Sequence, residues 1–493
     1  MRLPLLGTFM LLAAALALGT VWGVGYGLAS LESLAAVVVS LLVATLLALV
    51  GAAWSPLRMA LLALLLCLGL DVFFLEDGTL AWGLLVMGPL LAALLHRRLP
   101  PQAFAVAAAV FLGGLALQQL QRVHPTAPPH LARTGAPAQI VVHWVLDEMG
   151  SFASVPEEYQ VSADMQEIEQ GYRARGFALH ADKPSTSVET FLSLSRMAGP
   201  ADAQGPNYKK VGSNYRLLRN AVHEQFRSHG WDVSVTQSSY LDFCGKAVER
   251  CVTYDVGNNA RVFSDAGLDL RSRAIVLLRE VMVSLRTKER GSVLMDVLRP
   301  RFPQFFARHS SWSWARPSLS LATLRVMEGQ VDYVTGLDGK HYVFAHILSP
   351  HFPWNLDRNC AVRPLAKWRT PYAARSPKAS PETRAAAFEA YWQQQICTHR
   401  RVLAAIDRID AAHPGRVQFL IHGDHGPRIL KRHVAADAHR QAGGDVAVRN
   451  AVEPFLASRL RHAGSADVAD VETMQDAARV LLSRTAAGEL PTP

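Results

Sequence analysis

The side chains of this chain best suited to chemistry are carboxylates, imidazoles and hydroxyls placed where short apolar runs end. Gln139 to Leu146 (QIVVHWVL) is an apolar, β-branched run that leads directly into Asp147 and Glu148. Arg416 to Ile421 (RVQFLI) is a second, ending in His422, Gly423, Asp424, His425 and Gly426. His341 to Leu348 (HYVFAHIL) is a third, followed by Ser349, Pro350, His351, Phe352 and Pro353. Carboxylate and imidazole together hold a divalent cation: zinc or manganese first, with calcium and magnesium as alternatives.

A hydroxyl completes the set. In Pro184 to Gly199 (PSTSVETFLSLSRMAG) a Ser/Thr-rich turn runs into an apolar helical stretch, and Thr190 stands at the change. A threonine hydroxyl is a weak nucleophile at neutral pH. Coordination to a divalent cation favours its alkoxide, and a helix amino terminus favours both that anion and an incoming phosphate. Thr190 is the expected nucleophile, with Ser185, Thr186 and Ser187 as competitors.

The elements that must position these groups are strands. Apolar runs of this length read as buried strands, and open α/β sheets bind ligands outside the carboxyl ends of their strands. Each residue alone has a plainer explanation as a helix cap, a strand-end turn or a loop histidine. Three strand ends and one hydroxyl-bearing helix start falling together by accident is the weaker reading.

The rest of the chain sets the context. Half of the 493 residues are hydrophobic, and the excess sits in the first 120 or so, as near-continuous Leu, Ala, Val and Gly. Spans are expected at Leu3 to Leu28, Leu34 to Ala53, Met59 to Leu75, Leu80 to Leu95 and Phe104 to Leu120, each near the ~20 residues that cross a bilayer. Alternating spans put Arg2, Arg58, Arg97 and Arg98 on one side and Glu32, Glu76 and Asp77 on the other. Basic loops stay in the cytoplasm, so an odd number of spans places the remainder outside, with Asp71 near the outer end of the third span reaching headgroup water. Up to residue 100 the charges cancel, so the formal +9 belongs to the residues beyond that point. That suits acidic lipid headgroups as neighbours, and nucleic acid is not an expected partner. Proline-rich Val123 to Gln139 reads as a tether. The expected division is a membrane domain over 1–122, a linker over 123–138 and an extracytoplasmic domain over 139–493. Four cysteines fall in that last part, with nearest-neighbour pairing Cys244 to Cys251 and Cys360 to Cys397.

VLDE at Val145 to Glu148, ETFLSLS at Glu189 to Ser195, FAHILSPHFPW at Phe344 to Trp354 and DHGPR at Asp424 to Arg428 together resemble the membrane-anchored, sulfatase-like branch of the alkaline phosphatase superfamily. That branch includes lipoteichoic acid synthases and phosphoethanolamine transferases. The resemblance implies about five amino-terminal spans and an α/β catalytic domain with a mostly parallel central sheet, in the bacterial inner membrane and facing the periplasm. It implies that Asp147, Thr190, Asp424 and His425 hold the catalytic metal, with Glu148 a further candidate. Thr190 would be the nucleophile, His351 would contact the phosphoryl group or protonate the leaving group, and Arg428 and His433 would bind substrate charge or a second metal.

Two departures matter. The Cys- or Ser-x-Pro-Ser-Arg signature of true sulfatases is missing around Thr190, which points to phosphate rather than sulfate esters. Gly423 stands where the family usually has a serine. The expected reaction moves a phosphorus-containing headgroup from a membrane phospholipid to an envelope glycan or lipid. A phosphodiesterase, phosphatase or sulfatase-type hydrolase at the same site, and an inactive envelope binding protein, are the alternatives. The insert from Gly199 to Lys340 is expected to contain an apolar helix over Leu270 to Arg286. Its basic, aromatic run from Arg299 to Arg325, with Phe306, Trp312 and Trp314, is expected either on the membrane surface or as a wall of the substrate pocket.

Overall fold

A computed structural model describes residues 3–23, 26, 30–52, 54–73, 78–95, 97–98, 103–104, 106–107, 109–110, 138–159, 162–181, 183–200, 205–211, 214–254, 263, 267–287, 301, 317–431, 445–461 and 465–488. The chain divides into two compact units, 1–129 with 257–318, and 130–256 with 319–493.

The first unit is helical. Helices α1 (Leu3–Gly23), α2 (Leu31–Ala52), α3 (Ser55–Phe73) and α4 (Gly78–Leu94) stand where the first four spans are expected. They meet through Phe9, Leu12, Ala44, Met59, Leu62 and Ala92. Leu34, Leu42 and Leu46 of α2 are exposed, a run of apolar side chains on one helix. Among the described residues one helix, Leu31–Val50, is long and apolar enough to cross a membrane, while Thr8–Gly19 and Ser55–Cys67 are shorter apolar helices. Most of the expected fifth span and the side chain of Asp71 lie outside the described residues. The expected insert helix forms at Leu270–Thr287 and belongs to this unit. Residues 302–316 of the aromatic run are outside the described set.

The second unit is α/β. Its strands are β1 (Gln139–Leu146), β2 (Ala178–Leu179), β3 (Tyr208–Val211), β4 (Asn214–Leu217), β5 (Asp232–Ser238), β6 (Leu241–Asp242), β7 (Arg250–Tyr254), β8 (Lys340–Ile347), β9 (Val417–Gly423) and β10 (Leu456–Arg459). The main sheet has the order β2-β10-β9-β1-β8-β5-β7, and β3-β4-β6 form a small second sheet. Strands β9, β1, β8, β5 and β7 are mutually parallel, while β10 and β2 run antiparallel at one edge. A mostly parallel sheet is covered on both faces, which is why β1, β8 and β9 are nearly continuous apolar runs.

Helices α5 (Ser162–Ala174), α6 (Thr190–Ala198), α7 (Ala221–Ser228), α8 (Leu319–Thr335), α9 (Pro381–Ala412), α10 (Val446–Val452) and α11 (Met474–Ala487) surround the sheet. Leu194 and Met197 of α6, Phe226 of α7 and Leu481 of α11 pack with Val141, Val145, Phe344 and Leu420 of the strands on one face. On the other, Trp144 and Phe177 meet Phe419, and Tyr172 of α5 meets Phe177. Disulfides join Cys244 to Cys251 and Cys360 to Cys397, the nearest-neighbour pairing.

The core of this unit holds imidazoles, with a consequence for acid stability. Burial pushes the pKa of His223 and of His399 down to about 3, and that of His143 well below its ordinary value, so all three fold neutral. An unfolded histidine titrates near ~6.5, so the unfolded chain takes up protons first as the pH falls. The stability these residues contribute is complete above that value and declines from there down to their folded pKa. Between pH 7 and pH 5, His223 and His399 together should remove on the order of 4 kcal/mol. Chemical-denaturation midpoints of this unit at the two pH values measure the loss; equal midpoints would contradict it.

Candidate active site

Strand register brings the expected donors together. Val145 of β1 is level with His346 of β8 and His422 of β9. Side chains alternate faces along a strand, so Asp147 and Asp424 follow on the same face, just past the carboxyl ends. Ligand atoms of Asp147, Asp424 and His425 lie within 4.8 Å of one another, all buried. Thr190, at the first turn of α6, completes the group with its Oγ1 3.2 Å from His425 Nε2.

The donors are prepared for a cation. Asp424 Oδ1 accepts the amides of Glu148 (3.0 Å) and His425 (2.9 Å). Asp424 Oδ2 and Asp147 Oδ1 are buried and accept no well-aligned hydrogen bond, Asp424 Oδ2 lying 3.1 Å from His425 Nε2. Two converging buried carboxylates are costly unless positive charge joins them. His425 Nδ1 lies 2.8 Å from the Gly426 carbonyl oxygen. As donor to that carbonyl it leaves the lone pair on Nε2, facing Thr190 and the carboxylates, the arrangement of a ligating imidazole. Carboxylate, carboxylate, imidazole and hydroxyl in this arrangement fit a divalent cation.

The two carboxyls differ electrostatically. Burial alone would raise Asp147, but His351, His346 and His425 outweigh it and hold this carboxyl well below the usual range. Asp424 is pushed up, by burial first and then by the charge of Asp147.

Hydrogen bonds engage the hydroxyls of Ser185 and Ser187 away from His425. Ser185 donates to the Ser187 carbonyl (2.7 Å) and accepts from Gln475 Nε2 (2.6 Å). Ser187 Oγ accepts the Glu189 amide at 3.1 Å, and the Thr186 amide donates to Gln475 Oε1 at 3.1 Å. Ser193 donates to the carbonyl of Asp424 at 2.7 Å, tying α6 to the β9 loop. Of the expected hydroxyls, Thr190 is the one joined to His425 among the described residues.

Glu148 and Arg428 engage each other. Arg428 Nη2 is 2.6 Å from Glu148 Oε1, and its Nη1 donates to the Val188 carbonyl at 2.9 Å. Both residues have left-handed backbones, with φ of 60° and 55°, a conformation side chains rarely adopt outside functional loops. Arg428 thus binds Glu148 Oε1, while Glu148 Oε2 is buried without a hydrogen-bond partner, and the Arg428 side chain ties the strand-end loop to Val188. His351 is partly exposed, with Nε2 3.9 Å from Glu148 Oε1 and Nδ1 2.7 Å from the Phe352 carbonyl oxygen. His433 lies outside the described residues.

Beneath the carboxylates is a row of imidazoles. His346 Nε2 is 3.4 Å from Asp147 Oδ2. His422 Nε2 is 2.8 Å from His143 Nε2, and His143 Nδ1 is 2.6 Å from the Tyr342 hydroxyl. His346 and Tyr254, whose hydroxyl donates to the His346 carbonyl at 2.7 Å, are site-supporting residues that sequence reasoning missed.

Gly423 and Gly426 allow the loop its path. A Cβ on Gly423 would collide with the Met149 carbonyl, and one on Gly426 with that of Asn450. The local backbone therefore accounts for glycine at both positions. Gly426→Ala should destabilise the domain by roughly 2–3 kcal/mol and weaken metal binding by displacing His425. Denaturation midpoints and metal titration test this; an alanine variant matching the parent in both would contradict it.

No family model matches the chain, and no curated protein matches it. Among solved structures it is similar to the zinc complex of the C-terminal periplasmic domain of EptC from Escherichia coli, at 10% identity over 70% of this chain and 81% of that one, with a TM-score of 0.37. The periplasmic domain of phosphoethanolamine transferase EptC from Campylobacter jejuni is similar at 9% identity, over 72% and 96%, with a TM-score of 0.36. The lipoteichoic acid synthase LtaP from Listeria monocytogenes is similar at 10%, over 67% of each chain, with a TM-score of 0.33. These likenesses assign no residue its role.

Proposed function

We propose that the chain is a metal-dependent enzyme of the sulfatase-like, alkaline phosphatase kind. Its reaction moves a phosphorus-containing headgroup, of phosphoethanolamine or phosphoglycerol type, from a membrane phospholipid to a cell-envelope glycan or lipid. The observation that carries this is the Thr190 hydroxyl 3.2 Å from His425, beside two buried carboxylates.

Asp147, Asp424, His425 and Thr190 would hold a divalent cation, zinc or manganese. When bound, it would supply Lewis acidity that favours the Thr190 alkoxide and offsets phosphate charge. Thr190 gives up its hydroxyl proton to solvent as Oγ1 attacks phosphorus, the bond to the diacylglycerol oxygen breaks, and protonated His351 delivers its Nε2 proton to that oxygen. His351 Nε2 then takes the proton of the acceptor hydroxyl as its oxygen attacks phosphothreonine; the bond to Thr190 Oγ1 breaks, Oγ1 takes a proton from solvent, and the headgroup stays on the acceptor. Water in place of the acceptor gives the hydrolase.

The proposed location is the bacterial inner membrane, multi-pass, with the α/β unit outside. Exposed apolar α2, the basic positions Arg58, Arg97 and Arg98, and two disulfides support it. Incubating purified protein with phosphatidylethanolamine and phosphatidylglycerol vesicles and manganese or zinc, without acceptor, should place a headgroup phosphate on Thr190, read by mass spectrometry. Full turnover with an unmodified Thr190 would refute the assignment.

A further inference from the structure

The helix Leu270–Thr287 carries charge into the apolar first unit. Arg273 Nε and Nη2 lie 2.6 and 2.8 Å from the two carboxylate oxygens of Glu32, a bidentate fork at the start of α2. Glu32 is only 4% exposed. A turn further along, Leu277 packs against the pair Val21 and Tyr26, as does Ala36 of α2. Beyond it the buried Glu280 accepts the amide of Ser318, the last residue of the 257–318 segment. The segment leaves the chain after β7 and rejoins it at α8.

An exposed ion pair contributes little, whereas stranding one partner of a buried pair is strongly destabilising. A paired carboxylate at the mouth of an apolar helix therefore adds little net stability but strongly penalises any seating of the insert helix that leaves Glu32 without Arg273. Its physical use is to select one register.

We propose that the Arg273–Glu32 pair is a docking latch that seats the insert helix on the apolar bundle and on which turnover of a bilayer-embedded donor depends. Arg273 and Glu32 are positioning residues that take no part in the chemistry at Thr190. The dependence on a bilayer donor rests on the function proposed above; the docking does not.

The test uses full-length protein in vesicles, with Ala36→Cys and Leu277→Cys introduced as a cross-linking pair. Oxidation should join residues 36 and 277 in the parent, at least fivefold less in Glu32→Arg and in Arg273→Glu, and fully again in the double reversal. Activity is measured on two donors: long-chain phosphatidylethanolamine and phosphatidylglycerol in vesicles, and their dihexanoyl forms below the micelle concentration. Each single reversal should lower turnover of the vesicle donors at least tenfold, change that of the short-chain donors less than twofold, and be rescued by the double reversal. Cross-linking indifferent to the reversals, or equal losses on both donor types, would overturn the latch. Cross-linking that follows the pair with no turnover of either donor in the parent would uphold the docking and overturn the function on which the rest depends.

Discussion

Thr190→Ala should lower headgroup turnover by at least ~10³-fold and abolish the covalent intermediate. The hydroxyl stands at the start of α6 against His425, and the nearby serines are tied to Ser187, Glu189, Gln475 and the Asp424 carbonyl. The change removes a small side chain with one hydrogen bond, to His425, so the denaturation midpoint should move by less than about 1 kcal/mol. Thr190→Ser keeps the hydroxyl at the same helix start and should recover much of the rate. Single-turnover kinetics on the three proteins check this. Unimpaired turnover in Thr190→Ala would leave the buried cluster without its proposed use.

Asp424→Asn should separate metal binding from folding. In wild type, burial and the Asp147 charge oppose ionisation of Asp424, so its charge is a liability in the metal-free protein. Asparagine keeps an oxygen able to accept the Glu148 and His425 amides, while reducing repulsion with Asp147. The metal-free variant should therefore be at least as stable as metal-free wild type near pH 7. Wild type should gain about 4 kcal/mol at a cation concentration ~1,000 times its Kd, and the variant should lose most of that gain together with turnover. Melting curves with and without manganese or zinc supply both readings. A variant destabilised without metal, or stabilised by it as wild type is, would contradict the assignment of Asp424 as a ligand.

Much of this arrangement was legible in residue order because parallel core strands are unambiguous: QIVVHWVL, HYVFAHIL and RVQFLI are too apolar for a half-exposed sheet, and each ends abruptly in polar donors. Thr190 was visible for a similar reason, as the hydroxyl nearest the change from turn to helix. What stayed hidden depends on register and backbone. His346 matters because it is level with Val145 and His422, a relation no single strand carries. The left-handed turns at Glu148 and Arg428 aim these two side chains at each other, so a carboxylate beside the expected ligand became the partner of a guanidinium. The reason for Gly423 is a carbonyl of Met149, distant in sequence. Residues 257–318 cluster with the amino-terminal helices, though their composition resembles that of the domain around them.

One cation shared by Asp147, Asp424, His425 and Thr190 is the feature on which the proposed chemistry depends. Anomalous diffraction at the manganese or zinc edge, from crystals of the metal-loaded protein, tests it most directly. One strong peak is expected at ~2.0–2.2 Å from an oxygen of each aspartate, from His425 Nε2 and from Thr190 Oγ1. A peak bound elsewhere, or one beside the aspartates with the threonine oxygen beyond coordination distance, would contradict it.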